Sequence, residues 1–158
     1  MSRHRDRGPV DFVDLAGLGF VLILVGSLII LRPDLPSLIR DFFTDFELQQ
    51  VWGGNVYLPV PMSNHQALYG IAFDFCLYML AFQVLGLLFR FVLNELVRKK
   101  ASSVSGVVFW GGFAWILNLL SAELIGWPAF LGWLIVVAGT SIVVQSILTI
   151  LLYSLRTP

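Results

Sequence analysis

Four apolar runs of the chain are each long enough to cross a lipid bilayer. The first, Leu15 to Leu31, has seventeen residues and no charge, and the others lie at about 67–93, 104–125 and 128–153. A helix needs about 20 mainly apolar residues to span the hydrocarbon core. Charged residues make up 13% of the chain, against about 25% in typical soluble domains. The sequence predicts an all-α integral membrane protein, with four helices in an antiparallel bundle and a single domain over 1–158.

Basic residues are distributed unequally between the two sides of these predicted spans. Eight of the ten Lys and Arg lie in the two chain tails or in 90–103, whereas Arg32 and Arg40 lie on the other side. Because Lys and Arg concentrate in cytoplasmic loops, we expect a multi-pass protein with both termini cytoplasmic. The first run exceeds the apolar region of a signal peptide and lacks an A-x-A cleavage site, so we expect it to remain as a helix.

The outer segment at about 35–52 has the pattern of a short amphipathic helix. Its apolar residues recur at helical spacing and its charged residues fall largely elsewhere on the wheel. Asp34 is the predicted N-cap, Pro36 lies in the first turn, and Gly53-Gly54-Asn55 ends the helix. Such a helix would lie in the outer headgroup layer or cover the top of the bundle.

Proline and polar residues determine the path from this segment to the second span. Tyr57 to Pro61 should be extended, because residues before proline avoid the helical region. Ser63 and Gln66 have the spacing of a capping box, in which two side chains bind the free N–H groups at a helix start. The second span should therefore begin just after Ser63.

Asp74 is a carboxylate inside the second apolar run, at about 10 Å below its outer boundary. It shares a helix face with the small residues Ala67, Gly70 and Ala81, which favours close contact with a neighbouring helix. Asn118 in the third span lies at a similar depth, so we predict that Asp74 meets Asn118, with Tyr78 as a further partner. Two roles fit: a structural carboxylic acid that joins two helices, or a proton or cation site.

A second polar layer lies deeper in the predicted bundle. Gln83 falls on the face opposite Asp74, while Ser141 and Gln145 lie at comparable depth in the fourth span. Arg90 is near the cytoplasmic boundary, where we expect its long side chain to reach water. Polar or small residues on two opposite faces of span two predict that this span is central or that another chain covers one face.

The sequence carries no pattern that points to catalysis. Motifs for zinc proteases, serine hydrolases, nucleotides and dinucleotides do not occur. His4 and His65 are the two histidines, and Cys76 is the single cysteine, so we predict no metal, no cofactor and no enzymatic activity. A formal net charge of zero, without a basic block, gives no reason to expect nucleic acid as a partner.

These features lead to one functional expectation and one alternative. We expect a non-catalytic accessory subunit, embedded in the lipid bilayer, that helps assemble a larger complex through membrane-protein partners or self-association. The alternative is a small oligomeric channel or transporter that uses Asp74 and the Gln83 and Gln145 layer.

Overall fold

A computed structural model describes residues 12–51, 54–93 and 97–154. The chain divides into two compact units, Met1–Pro33 and Asp34–Pro158. The first contains α1 (Phe12–Leu31). The described part of the second contains α2 (Leu35–Thr44), β1 (Phe46–Val51), β2 (Val56–Pro61), α3 (Gln66–Val92), α4 (Val97–Ser121) and α5 (Trp127–Ser154).

Three helices in the described ranges are long and apolar enough to cross a membrane. They are α3, the part of α4 from Lys99, and α5 as far as Leu151. α1 and α2 would make a fourth span if the two were counted as one broken span. The mostly helical fold, with three helices long and apolar enough to span a membrane, is therefore confirmed, while the antiparallel four-helix arrangement and the orientation of the termini stay predictions.

α4 is the central helix of the second unit, because it packs against both α3 and α5. The sequence predicts that span two is central or that another chain covers one of its faces; within the second unit, α4 takes the central position. Glycines allow the close approach: a Cβ on Gly112 would lie 2.8 Å from Val137 Cγ1 of α5, and one on Gly106 would lie 3.0 Å from Gln83 of α3. The buried cluster around these contacts comprises Tyr69, Cys76, Ala114, Ile116, Leu117, Leu120, Phe130 and Val137.

The predicted outer helix over 35–52 is wrong in its second half, where a two-stranded hairpin joins the otherwise helical fold. The helix ends at Thr44, and β1 pairs antiparallel with β2 in a register that joins Phe46 to Pro61 and Val51 to Val56. The extended conformation predicted for Tyr57–Pro61 is confirmed. The prolines keep β2 extended, so it can pair with another strand. Residues 46–51 therefore form interstrand hydrogen bonds with β2 instead of continuing the helix.

Phe42 attaches the apolar side of α2 to α3 and α5. Its ring makes edge contacts with Phe46, His65, Tyr69 and Trp127, at centroid distances from 4.9 to 6.3 Å. Edge-to-face pairs of this kind add about 0.5–1.5 kcal/mol each beyond area burial. The hairpin and α2 therefore form a cover at one end of the helices, which we call the hairpin end.

Two helix boundaries at the hairpin end differ from the sequence prediction. The Ser63–Gln66 capping box does not form: α3 begins at Gln66 after the N-cap His65, and the Gln66 amide donates to the Ser121 carbonyl instead. α4 ends at Ser121 rather than Ile125, because Leu124 N–H bonds Leu119 O and Glu123 takes a φ of 58°. That pairing is a Schellman cap, whose left-handed residue is here Glu123 rather than the usual glycine.

Candidate functional site

The face of α3 that carries Asp74 is uncovered by α4 and α5. We define this Asp74 face by the helical stripe Ala67, Asp74, Tyr78, Ala81 and Leu85, all of which are exposed. Tyr78 is 54% exposed and Leu85 is 55% exposed. Asp74 follows the start of α3 by eight residues, which places it about 12 Å along the helix axis. A carboxylate thus lies on an exposed face of a helix long and apolar enough to span a membrane.

The predicted contact between Asp74 and Asn118 is not formed. Both side chains are exposed, and no hydrogen bond joins either of them to another side chain in the described ranges. Tyr78 likewise makes no hydrogen bond to Asp74 among these residues. The contact was predicted from equal depth and small neighbours, and α3 turns its opposite face to α4.

Gln83 lies on the face of α3 that does meet α4. Its amide carbon and oxygen sit above Gly106, 3.0 Å from the position that a Cβ there would occupy. Cys76 and Met79 on the same side are buried. The Gln83 side is therefore the packed side of α3, and the Asp74 face has no neighbour among the described residues of 34–154.

Ser141 is the predicted polar residue of α5 that contacts α4. Ser141 is buried, and its backbone carbonyl accepts a hydrogen bond from the hydroxyl of Ser105 in α4 at 2.8 Å. The Ser141 hydroxyl donates to Ala138 O, also at 2.8 Å. Gln145, half-buried one turn further along, accepts a hydrogen bond on its carbonyl from Thr149. These groups form hydrogen bonds between or within helices, and they do not lie on the same face of the molecule as Asp74.

The Ser105 to Ser141 hydrogen bond should contribute modestly to stability. Replacing Ser105 with alanine is expected to lower the free energy of unfolding by about 0.6 kcal/mol, a typical value for such bonds between membrane helices. Ser102→Ala is the matched control, since Ser102 is exposed on the same helix. Denaturant titration of the purified variants in detergent measures both; equal effects of the two substitutions would show that the interhelical bond contributes nothing.

Arg90 is buried near the end of α3 rather than extended to water as predicted. Its Nη1 donates to the backbone carbonyl of Lys99 at 2.9 Å. Lys99 is in the first turn of α4, so this bond joins the adjoining ends of α3 and α4. Arg90 therefore has a structural contact with the first turn of α4.

The hairpin end contains a polar cluster that the sequence did not reveal. The Asp45 carboxylate accepts hydrogen bonds from Ser63 N–H at 2.6 Å and from the Ser63 hydroxyl at 3.2 Å, and it pairs with His65 Nε2 at 3.0 Å. Asp45 O also accepts from Met62 N–H at 3.1 Å. One residue at the end of α2 thereby holds the segment that leads into α3. Ser63 and His65 follow Asp45 by 18 and 20 residues, so no local spacing could indicate these contacts.

The Ser63 N–H is the main reason why the pKa of Asp45 lies below its ordinary value of 3.8. His65 and the Ser63 hydroxyl lower this pKa further, against an opposing effect of desolvation. A carboxyl whose pKa is lowered in the folded state adds stability above its unfolded value. The contribution of Asp45 should be complete above about pH 4 and should be lost as the pH falls through the native pKa.

This dependence can be tested through the amide protons of β1 and β2. Asp45→Asn should reduce their hydrogen-exchange protection at neutral pH, and its deficit relative to the unmodified chain should shrink below pH 3.8. Glu47→Gln is the control, because Glu47 is exposed on β1. A deficit that stayed constant from pH 7 to pH 3 would contradict the assignment.

The cluster of Asp45, Ser63 and His65 has the residue types of a hydrolase triad without its geometry. In a triad the histidine lies between the serine and the carboxylate and takes the serine proton. Here the carboxylate is in the middle, and both Ser63 and His65 bind to it. No group of three or more His, Cys, Asp or Glu in the described ranges could hold a metal ion. The cluster is arranged as a clamp between α2 and α3.

Comparisons with known protein families, with curated proteins and with solved structures find no match to this chain. Its function is therefore inferred from its own residues and contacts.

Proposed function

We propose that this protein is a non-catalytic membrane subunit that joins a larger complex or a homo-oligomer through the Asp74 face. The observation that supports it most is the exposed carboxylate at membrane depth. An ionised Asp at a helix centre costs about 2.5–3.5 kcal/mol on insertion scales, and such residues almost always face protein or a water-filled cavity. α4 and α5 provide neither at Asp74. A polar group on a partner helix would remove this cost.

The shape of the Asp74 face supports the same proposal. Ala67 and Ala81 flank Asp74 along the stripe, and a Cβ on the adjacent Gly70 would meet nothing within 4 Å. Small residues let two helix backbones approach closely, and membrane helices associate through packing and interhelical hydrogen bonds. Asp74 and Tyr78 would form the hydrogen bonds to the partner helix, and the small residues would let its backbone pack closely.

Association can be tested by extracting the tagged chain from its native membranes together with the surrounding lipid. We expect particles of one defined mass that contain this chain with fixed partners or with further copies of itself. Asp74→Leu should release the chain as a monomer, because leucine is as apolar as the lipid and no longer requires a partner. Ile135→Leu, on an exposed part of α5, is the control. A monomeric, unmodified chain would refute the proposal.

A second candidate function is a small oligomeric channel or transporter. The exposed Asp74 favours this function, because several copies arranged with their Asp74 faces inward would line a shared path with carboxylates. Gln83 and Ser141 cannot belong to that path, since they lie in the α3–α4 and α4–α5 contacts. Proton or ion flux into vesicles that contain the purified chain would support this function, provided that Asp74→Asn abolishes the flux.

A further inference from the structure

An apolar pocket lies under α2 at the hairpin end, away from the Asp74 face. Its volume is about 330 Å³, and only apolar atoms line it. Ile39, Phe42 and Phe43 of α2 form one side. The other walls come from all three long helices: Leu68, Tyr69, Ala72, Leu117, Leu120, Trp127 and Phe130.

The lining determines the chemistry of what can fill this pocket. Water needs two to four polar partners, and apolar cavities stay dry. A polar ligand would likewise lose its hydrogen bonds to solvent without gaining any from these walls. The pocket therefore suits a purely apolar chain, and its volume is at the lower end of the range of about 300–1,000 Å³ for small-molecule pockets.

The position of the pocket indicates where that chain comes from. The walls lie within the first two turns of α3 and α5 and the last two turns of α4, at the ends of helices apolar enough to span a membrane. In a bilayer this is the depth at which the upper part of a lipid acyl chain lies. Ile39 and Phe43 of α2 remain 40% and 71% exposed beside the opening, so the pocket wall continues into an uncovered apolar surface.

We propose that this pocket binds one acyl chain of a membrane phospholipid, held under α2. α2 covers the pocket from the hairpin end, and Phe42 fixes α2 in that place through its ring contacts with Tyr69 and Trp127. The chain contacts the aromatic walls and leaves its headgroup at the level of α2. The bound lipid then fills the space between α2 and the helices and becomes part of the structure at this end.

Native mass spectrometry tests the proposal on the whole chain after transfer from phosphatidylcholine bilayers into detergent. We expect one retained phosphatidylcholine per chain. Ala72→Phe, which fills the pocket, should lower the affinity for the lipid about tenfold, equivalent to about 1.4 kcal/mol. Ala129→Phe is the matched control, because Ala129 lines a separate, shallow hollow with Gly132, Trp133 and Val136 on α5. Equal retention in both variants, or none in the unmodified chain, would overturn the proposal.

A second measurement needs no substitution and so does not depend on the folding of a variant. Phosphatidylcholine with a photoreactive diazirine on its acyl chain is incorporated into vesicles with the unmodified protein. After detergent exchange and illumination, adducts should fall on 39–43 and 68–72 in preference to 142–150 of α5. Labelling that is no stronger at the pocket than along α5 would contradict the site.

Discussion

Ala81→Trp should dissociate the assembly that we propose. Ala81 lies on the Asp74 face, where an indole ring would occupy the space that a partner helix needs. We expect the assembled fraction to fall more than tenfold, which corresponds to more than about 1.4 kcal/mol of association free energy. Light scattering of the protein, extracted in native lipid particles, measures the mass with and without the substitution.

Two further variants separate this effect from general damage to the helix bundle. Ala129→Trp adds the same ring to an exposed position of α5 and should leave the assembly intact. Asp74→Asn keeps hydrogen-bonding capacity at the centre of the face, so it should retain most of the association that Asp74→Leu loses. An assembly that tolerated Ala81→Trp as well as Ala129→Trp would place the interface elsewhere.

Gly112→Leu should cause a large loss of stability, because it places a side chain in the close contact between α4 and α5. Even the Cβ of the new side chain would lie 2.8 and 2.9 Å from the two methyl groups of Val137, closer than such atoms pack. Val137 is buried and its β-branched side chain is stiff, so α4 and α5 would have to separate. Overpacking of this kind costs about 1–3 kcal/mol or more. Thermal unfolding in detergent gives the measurement.

Two positions of α5 supply the control and the compensating substitution for this prediction. A Cβ on Gly139 would meet nothing within 4 Å, so Gly139→Leu should leave stability nearly unchanged. The double variant Val137→Ala, Gly112→Ala should lose less free energy of unfolding than the sum of the two single losses. The smaller side chain at position 137 makes room for the added methyl group at position 112. Simple additivity of the two would argue against this close contact.

The long helices could be predicted from the sequence because their signal is local. Apolar runs of span length placed α3 at 67–93, within one residue of the observed Gln66–Val92 at either end. α4 was predicted from Val104 to Ile125 but extends from Val97 to Ser121. The helix starts earlier because its first turns are basic and so fall outside the apolar run. It ends earlier because Glu123 takes a positive φ, which hydropathy does not report.

The hairpin end could not be predicted because its contacts are distant in sequence. Phe42, Phe43 and Phe46 fit a helical period, yet Phe46 begins a strand whose partner residue is Pro61. Gly54 and Asn55 then belong to a hairpin turn, and Gly53 lies outside the described residues. Likewise the Asp45 clamp depends on Ser63 and His65, which only the folded hairpin brings close.

For the candidate site, the sequence indicated the residues but not their neighbours. Helical geometry placed Asp74 and Gln83 on opposite faces of α3, and the structure agrees. The prediction that the Asp74 face meets the third span is wrong, because α3 turns its Gln83 side to α4. The Gln83 side packs on α4 because Gly106 lies opposite it. That pairing depends on the relative depth of two helices, which cannot be determined from the sequence pattern of one helix.

Photo-crosslinking in native membranes tests the central claim most directly, that protein covers the Asp74 face. A benzophenone amino acid replaces either Tyr78, 54% exposed on this face, or Ile135, 74% exposed on α5. We predict that position 78 crosslinks to another polypeptide and gives a product of one defined mass, while position 135 crosslinks to lipid. Lipid adducts alone at position 78, or an internal crosslink without added mass, would contradict the claim.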